Sequence, residues 1–203
     1  MFDARLRPYI DPPLNWLGLA LARAGVTANG VTLAGLVPGL AAAAAIANGQ
    51  YLAGLALILL NRLLDGLDGA VARARGPSDF GGYLDIVADF LFYAAIPVGF
   101  GLAAAANTLP ALLLVAAFTL TGISFLAFAV LAAKRGVETS AHGRKSFFYS
   151  TGLAEGTETI ACFIAMCLWP QHFAVIAYIY AGLCILTVIQ RTAMARQQFG
   201  VQP

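Results

Sequence analysis

Charge is scarce in this sequence. Lysine and arginine together number 12, and aspartate and glutamate 10, in 203 residues, so 11% of the chain is charged; a soluble domain carries about a quarter. That scarcity excludes an ordinary water-solvated globule. Cysteine is sparse as well. Cys162, Cys167 and Cys184 show no C-x-x-C spacing and no nearby histidine, which argues against zinc or a disulfide framework and leaves them as packing residues. His142 and His172 fall in separate loops and receive no role. Sequence repeats, low-complexity linkers and a second, soluble domain are also missing. The first residues, MFDARLRPYIDPP, put acids and prolines where a cleavable signal would need an apolar core. No feature calls for a nucleic-acid partner.

What the chain has in abundance is apolar length. Sixty per cent of its residues are hydrophobic and the mean hydropathy is +0.80. Crossing a bilayer as a helix takes about 20 mostly apolar residues. Runs of that kind occur at 31–49, 51–73, 80–106, 109–133, 146–169 and 172–194, with breaks at NGQ (48–50), RGPSD (75–79), NTLP (107–110), KRGVETSAHGRK (134–145) and WPQH (169–172). The expected fold is therefore an all-α integral membrane protein with six transmembrane helices. A further short helix over 14–24, LNWLGLALARA, follows Pro12 and Pro13, with proline suited to a first helical position. Its Trp16 and Arg23 suit the membrane interface. We expect one domain: an interfacial helix and lead-in over 1–30, six spans over 31–194, and a tail over 195–203.

The basic residues orient this arrangement. Arg5, Arg7 and Arg23 precede the first run, Arg73 and Arg75 follow the second, Lys134, Arg135, Arg144 and Lys145 lie between the fourth and fifth, and Arg191 and Arg196 end the sixth. The intervening loops at 48–50, 107–110 and 170–172 have neither Lys nor Arg. The positive-inside rule puts both termini, and the ends of the helices that carry the aspartates described next, in the cytoplasm.

Four of the ten acids, Asp65, Asp68, Asp85 and Asp89, lie in LLDGLDGAVARARGPSDFGGYLDIVADF (63–90) among apolar neighbours. At 3.6 residues per turn, Asp65 and Asp68 point within roughly 60° of each other and Asp85 and Asp89 within about 40°. An aspartate at a bilayer centre costs about 2.5–3.5 kcal/mol on insertion scales. Two adjacent antiparallel helices would bring both pairs face to face, where four carboxylates need neutralising. Hard oxygen donors without His or Cys favour Mg²⁺, Mn²⁺ or Ca²⁺, and four could hold two ions as in phosphoryl displacement. Buried salt bridges from Arg62 or Arg73 to Asp65 or Asp68 are the alternative, and would account for two of the four. Gly66, Gly69, Ala70 and Ala72 either leave room for a ligand beside the acids or serve close helix packing.

The order Asp65-x-x-Asp68-Gly69-x-x-Ala72-Arg73, then Gly81-x-x-x-Asp85-x-x-x-Asp89, resembles the signature of the CDP-alcohol phosphotransferase family. Ala28-Asn29-Gly30-Val31-Thr32 is similar to that family's Pro-Asn-x-x-Thr start of the first span, with alanine in place of proline. GRKSFF (143–148) is similar to its basic lead into the fifth. The spacer between Arg73 and Gly81 is one residue shorter than the family pattern, a deletion that falls in the RGPSD turn.

The resemblance implies a reaction. CDP-diacylglycerol, or another CDP-alcohol, would be bound with Mg²⁺ or Mn²⁺, two ions in all. Asp65, Asp68, Asp85 and Asp89 would be metal ligands. Asp89 would also deprotonate an acceptor hydroxyl, which attacks the β-phosphorus and expels CMP. Asn29, Thr32, Asp65, Gly69, Ala72 and Arg73 would contact the nucleotide and its phosphates.

For the small alcohol acceptor, Arg144, Lys145 and Arg191 are candidate contacts to a phosphorylated molecule such as glycerol 3-phosphate or inositol phosphate. Glu155 and Glu158, outside the signature, are candidates for orienting it. Gly152-x-x-x-Gly156 hints at a homodimer contact. Two competing functions are a divalent-cation transporter, since acids in membrane helices mark ion paths, and a non-catalytic membrane subunit of the same fold. The transporter would need a polar route to the far side, whereas YLAGLALILL and FLFYAAIPVGF beside the acids are apolar.

Overall fold

Turn chemistry sets several of the helix boundaries. Thr27 and Ser78, both extended, accept hydrogen bonds from the amides of Gly30 and Gly81 at 3.2 and 3.1 Å and so cap the helices that follow. Gly76 stops the third helix at a φ of 97°, a left-handed value that a side chain disfavours. The computed structural model describes residues 3–135 and 154–200. Its helices are α1 (Asp3–Arg23), α2 (Ala28–Ala47), α3 (Tyr51–Arg75), α4 (Asp79–Ala103), α5 (Thr108–Lys134), α6 (Gly156–Leu168) and α7 (Phe173–Phe199). Short 3-10 turns, Ala105–Asn107 and Pro170–His172, lead into α5 and α7. No strand occurs among the described residues.

Four stretches, Ala28–Ala47, Asp79–Ala103, Ala105–Lys134 and Pro170–Phe199, are long and apolar enough to cross a bilayer. Val37, Leu102, Leu120 and Ile179 lie exposed on their outer faces, as suits a protein solvated by lipid. α3 is as long as α4, at 25 residues, but Arg62, Asp65, Asp68, Arg73 and Arg75 occupy its second half. α6 supplies 13 residues of the expected fifth span; positions 146–153 lie outside the described residues, as does Gly152 of the candidate dimer contact. The remaining expected runs match helices to within about a turn.

The first helix differs from expectation. It begins at Asp3 and runs through Pro8, Pro12 and Pro13, where the sequence suggests a start after the two prolines. Those prolines remove amide donors from the interior of α1. Tertiary contact holds the C-terminal half in place nonetheless: Leu14 fits over Gly66, and Gly18 lies against Ala70 of α3 so closely that a Cβ there would meet the Ala70 Cβ at 2.5 Å.

The packing order also departs from the simple picture of α3 against α4. α2 lies in close contact with both, α1 packs on α3, α4 on α5, and α5 on α7. α3 and α4 touch each other little by comparison. Hydrophobicity gives helices little reason to associate in lipid, so small residues and interhelical hydrogen bonds matter more. Gly35 of α2 admits Leu64, and Gly39 admits both Asn61 and Phe92. Asn61 then donates through Nδ2 to the Gly35 carbonyl at 2.8 Å, a buried bond between α3 and α2. Below this lies an aromatic core in which Phe100 stacks on Phe173 at 4.5 Å between centroids and Phe92 meets Phe163 edge-on at 5.8 Å.

α2 and α4 cross backbone to backbone, where a Cβ on Gly99 would lie 2.5 Å from the Ala43 carbonyl oxygen. Backbone cannot yield as a side-chain tip can. Gly99→Ala is expected to destabilise the protein by about 1–3 kcal/mol, read as a lowered unfolding midpoint in detergent.

Candidate metal centre

The aspartate-bearing helices meet across a gap floored by α2. Asp65 and Asp68 project from α3 and Asp85 from α4, and each offers a carboxylate oxygen within 4.8 Å of the others. Asp68 is the most enclosed of the motif acids, 6% exposed. Thr32, one helical turn into α2, donates its hydroxyl to Asp68 Oδ2 at 2.7 Å, with the Ala28 carbonyl as a second acceptor at 3.1 Å. The recess also takes in Gly35, Asn61, Arg62 and Asp89.

Asp89 lines the same recess as Asp65 and Asp68. Its Oδ1 lies 3.0 Å from Nη1 of Arg62, which is also 3.4 Å from Asp65 Oδ2. The salt-bridge alternative is thus partly realised, by Arg62 with Asp65 and Asp89. Arg73 is used differently: Nε and Nη2 donate to Asn15 Oδ1 at 3.1 and 2.8 Å, tying α3 to α1. Among the described residues Arg62 is the guanidinium within ion-pair distance of these carboxylates. Three oxygen donors converging without sulfur or nitrogen fit a hard divalent cation.

The other candidates distribute as follows. Asn29 sits at the start of α2 with Oδ1 3.1 Å from where a Gly81 Cβ would be, so it faces the first turn of α4. Gly66 and Ala70 meet α1, which decides for packing at those two positions. Gly69 has, among the described residues, only Arg73 Nη1 close to its Cβ position, at 3.3 Å, and Ala72 is half-buried. Arg191 is buried in the α5–α7 contact, donating to the Thr121 carbonyl at 2.9 Å and Ser124 Oγ at 2.7 Å, within electrostatic reach of Glu155. Glu155 caps α6 and Glu158 lies in its first turn. Arg144 and Lys145 lie outside the described residues. Asn61 and the double pairing of Arg62 are what sequence reasoning missed. A signal for Arg62 was present in its three-residue spacing from Asp65, which puts both on one helix face.

The model for CDP-alcohol phosphatidyltransferases matches residues 25–194. The chain belongs to this family. As a CDP-alcohol phosphatidyltransferase it is an integral membrane enzyme of phospholipid synthesis, carrying apolar helices of spanning length. Inner membrane protein YnjF of Escherichia coli (strain K12) is 50% identical over 192 residues, 94% of this chain and 93% of that protein. The archaetidylinositol phosphate synthase of Methanothermobacter thermautotrophicus is 30% identical over 198 residues, 94% of this chain and 90% of that one. Among solved structures, Mycobacterium tuberculosis phosphatidylinositol phosphate synthase (PgsA1) with CDP-DAG bound superposes with a TM-score of 0.67 at 24% identity, over 90% of this chain and 93% of that one. The same enzyme in complex with manganese and citrate gives 0.66 at 24%, over 89% and 87%. At that identity the two structures establish a shared fold.

The Thr32–Asp68 bond gives a direct check on the site. Thr32→Val removes the donor at nearly constant volume and is expected to weaken divalent-cation binding roughly 10- to 100-fold, measured by titration of the purified protein. Thr32→Ser should restore most of it.

Proposed function

We propose that the protein transfers a phosphatidyl group from CDP-diacylglycerol, or a related CDP-linked lipid, to a small phosphorylated alcohol, releasing CMP. The observation that carries this reading is the convergence of Asp65, Asp68 and Asp85 within 4.8 Å beside a recess that also contains Asp89. CDP-DAG is the ligand bound in one structural neighbour, and inositol phosphate appears in the names of the synthases similar to this chain. Inositol phosphate and glycerol 3-phosphate are the acceptors of choice.

Asp65, Asp68 and Asp85 would hold the divalent cations, with Asp89 completing the set for a second ion; Mg²⁺ or Mn²⁺ fits these oxygens. Bound there, the ions supply neutralisation of the diphosphate and a better leaving group. Thr32 holds Asp68 in register for this task. Asn29, Gly69, Ala72 and Arg73 would contact the nucleotide and its phosphates. Asp89 accepts the proton of the acceptor hydroxyl. The oxygen so activated forms a bond to the β-phosphorus as the bond from that phosphorus to CMP breaks, and CMP leaves with the electron pair. Positioning and charge neutralisation dominate such a transfer, so the chain needs no covalent nucleophile. The same reading takes the chain as six spans with an interfacial α1, both termini and the site facing the cytoplasm, in keeping with its loop cations.

The experiment is CMP release by purified protein in detergent with CDP-diacylglycerol and Mg²⁺, across glycerol 3-phosphate, inositol phosphate, inositol, serine and choline. Release should depend on one acceptor, vanish on chelation, and fall by at least about 100-fold in Asp89→Asn while that variant still binds the donor. Near-normal turnover by the variant would remove Asp89 as the base. Silence with every acceptor, together with no donor binding, would sink the transfer reading.

A further inference from the structure

Arg62 interrupts the apolar run LILLNRLL (57–64) and lies outside the family signature. A guanidinium there bears the same desolvation cost as the aspartates, so its placement needs a reason. Three kinds of restraint hold it. Nε donates to Asn61 Oδ1 at 2.8 Å, and Asn61 is itself anchored to the Gly35 carbonyl. The guanidinium lies 4.4 Å from the centroid of Phe92, a fully buried ring, and 5.7 Å from that of Tyr93. Nη1 lies 3.0 Å from Asp89 and 3.4 Å from Asp65. Residues of α2, α3 and α4 therefore jointly determine where this charge sits. Exposed ion pairs lack such support and contribute little; this side chain is only 17% exposed.

We propose that Arg62 is a positioning residue for Asp89 and a built-in countercharge to the aspartate cluster, weakening that cluster's hold on a divalent cation. The inference rests on the reading of the aspartates as metal ligands. Through Nη1, Arg62 fixes the carboxylate that receives the acceptor's proton. Through its charge, it opposes an arriving cation at Asp65 and lowers the affinity that bare carboxylates would show. The planar group, held at Nε and stacked on Phe92, can do both from one fixed place. Lysine has the charge without the fork or the Nε donor.

The test is Mn²⁺ binding to the full chain in detergent, without substrate, followed by electron paramagnetic resonance alongside the unfolding midpoint and kcat. In Arg62→Gln, Mn²⁺ should bind on the order of ten-fold more tightly because a nearby positive charge is gone. Its kcat should fall roughly 10- to 100-fold as Asp89 loses its orientation. Arg62→Lys should bind Mn²⁺ nearly as the unmodified protein does yet still lose kcat. A purely structural arginine would lower the midpoint without tightening Mn²⁺ binding. Unchanged or weaker binding by Arg62→Gln at an unaltered midpoint overturns the countercharge role, and Arg62→Met serves this arm if the Gln variant does not fold. Normal kcat in Arg62→Lys overturns the positioning role. Absence of Mn²⁺ binding by the unmodified protein would instead remove the metal reading, and this inference with it.

Discussion

Carboxylates confined among apolar helices repel one another and resist leaving water, and the architecture around residues 61–92 can be understood as a response to that constraint. Thr32 donates to Asp68, Arg62 pairs with Asp65 and Asp89, and Asp85 converges on Asp65 and Asp68. Arg62 is the cation the described residues bring against these carboxylates, and their oxygens are of the kind that suits a hard divalent cation.

The intervention of α2 makes this possible. Were α3 and α4 packed directly, side chains of ordinary size would fill the space between them. α2 instead contacts both, using Gly35 and Gly39 to come close to Leu64, Asn61 and Phe92, and leaves the carboxylates to meet across the gap. The Asn61–Gly35 bond and the Gly99–Ala43 approach fix the depth and spacing of the wedge. Polar groups in lipid surroundings find partners within the protein or not at all, so these few bonds count for more than their number suggests. The outer face of α3 is closed by α1 through Gly18, Leu14 and the Arg73–Asn15 bonds, which ties the motif helix to the first helix.

Much of this was legible beforehand. Apolar runs located α2, α3, α4, α5 and α7 to within about a turn, because spanning length and hydropathy are local properties of the chain. The spacing of Asp65, Asp68, Asp85 and Asp89 marked the site, because acids in such surroundings are costly unless they serve one. Less legible were the contacts between positions far apart in sequence. Spacing offered Arg62 only as one of two possible salt-bridge partners; that it grips Asp89 across the gap depends on Phe92 and Asn61 being where they are. Gly66 and Ala70 read equally as ligand space or packing until α1 was seen against them. Arg191, a loop-edge cation in sequence, is buried between α5 and α7, where the Thr121 carbonyl and Ser124 Oγ accept its hydrogen bonds.

Local sequence alone was enough to show a helical membrane protein with two closely spaced aspartate pairs, since helix length, hydropathy and the facing of residues three and four apart are decided within one helix. Which helix lies between the two that carry the acids, which acids converge, and that Arg62 pairs with both Asp65 and Asp89 emerged from the tertiary structure. Those outcomes turn on whether small residues at Gly18, Gly35, Gly39 and Gly99 let particular helices approach, and that depends on what each one meets across the bundle.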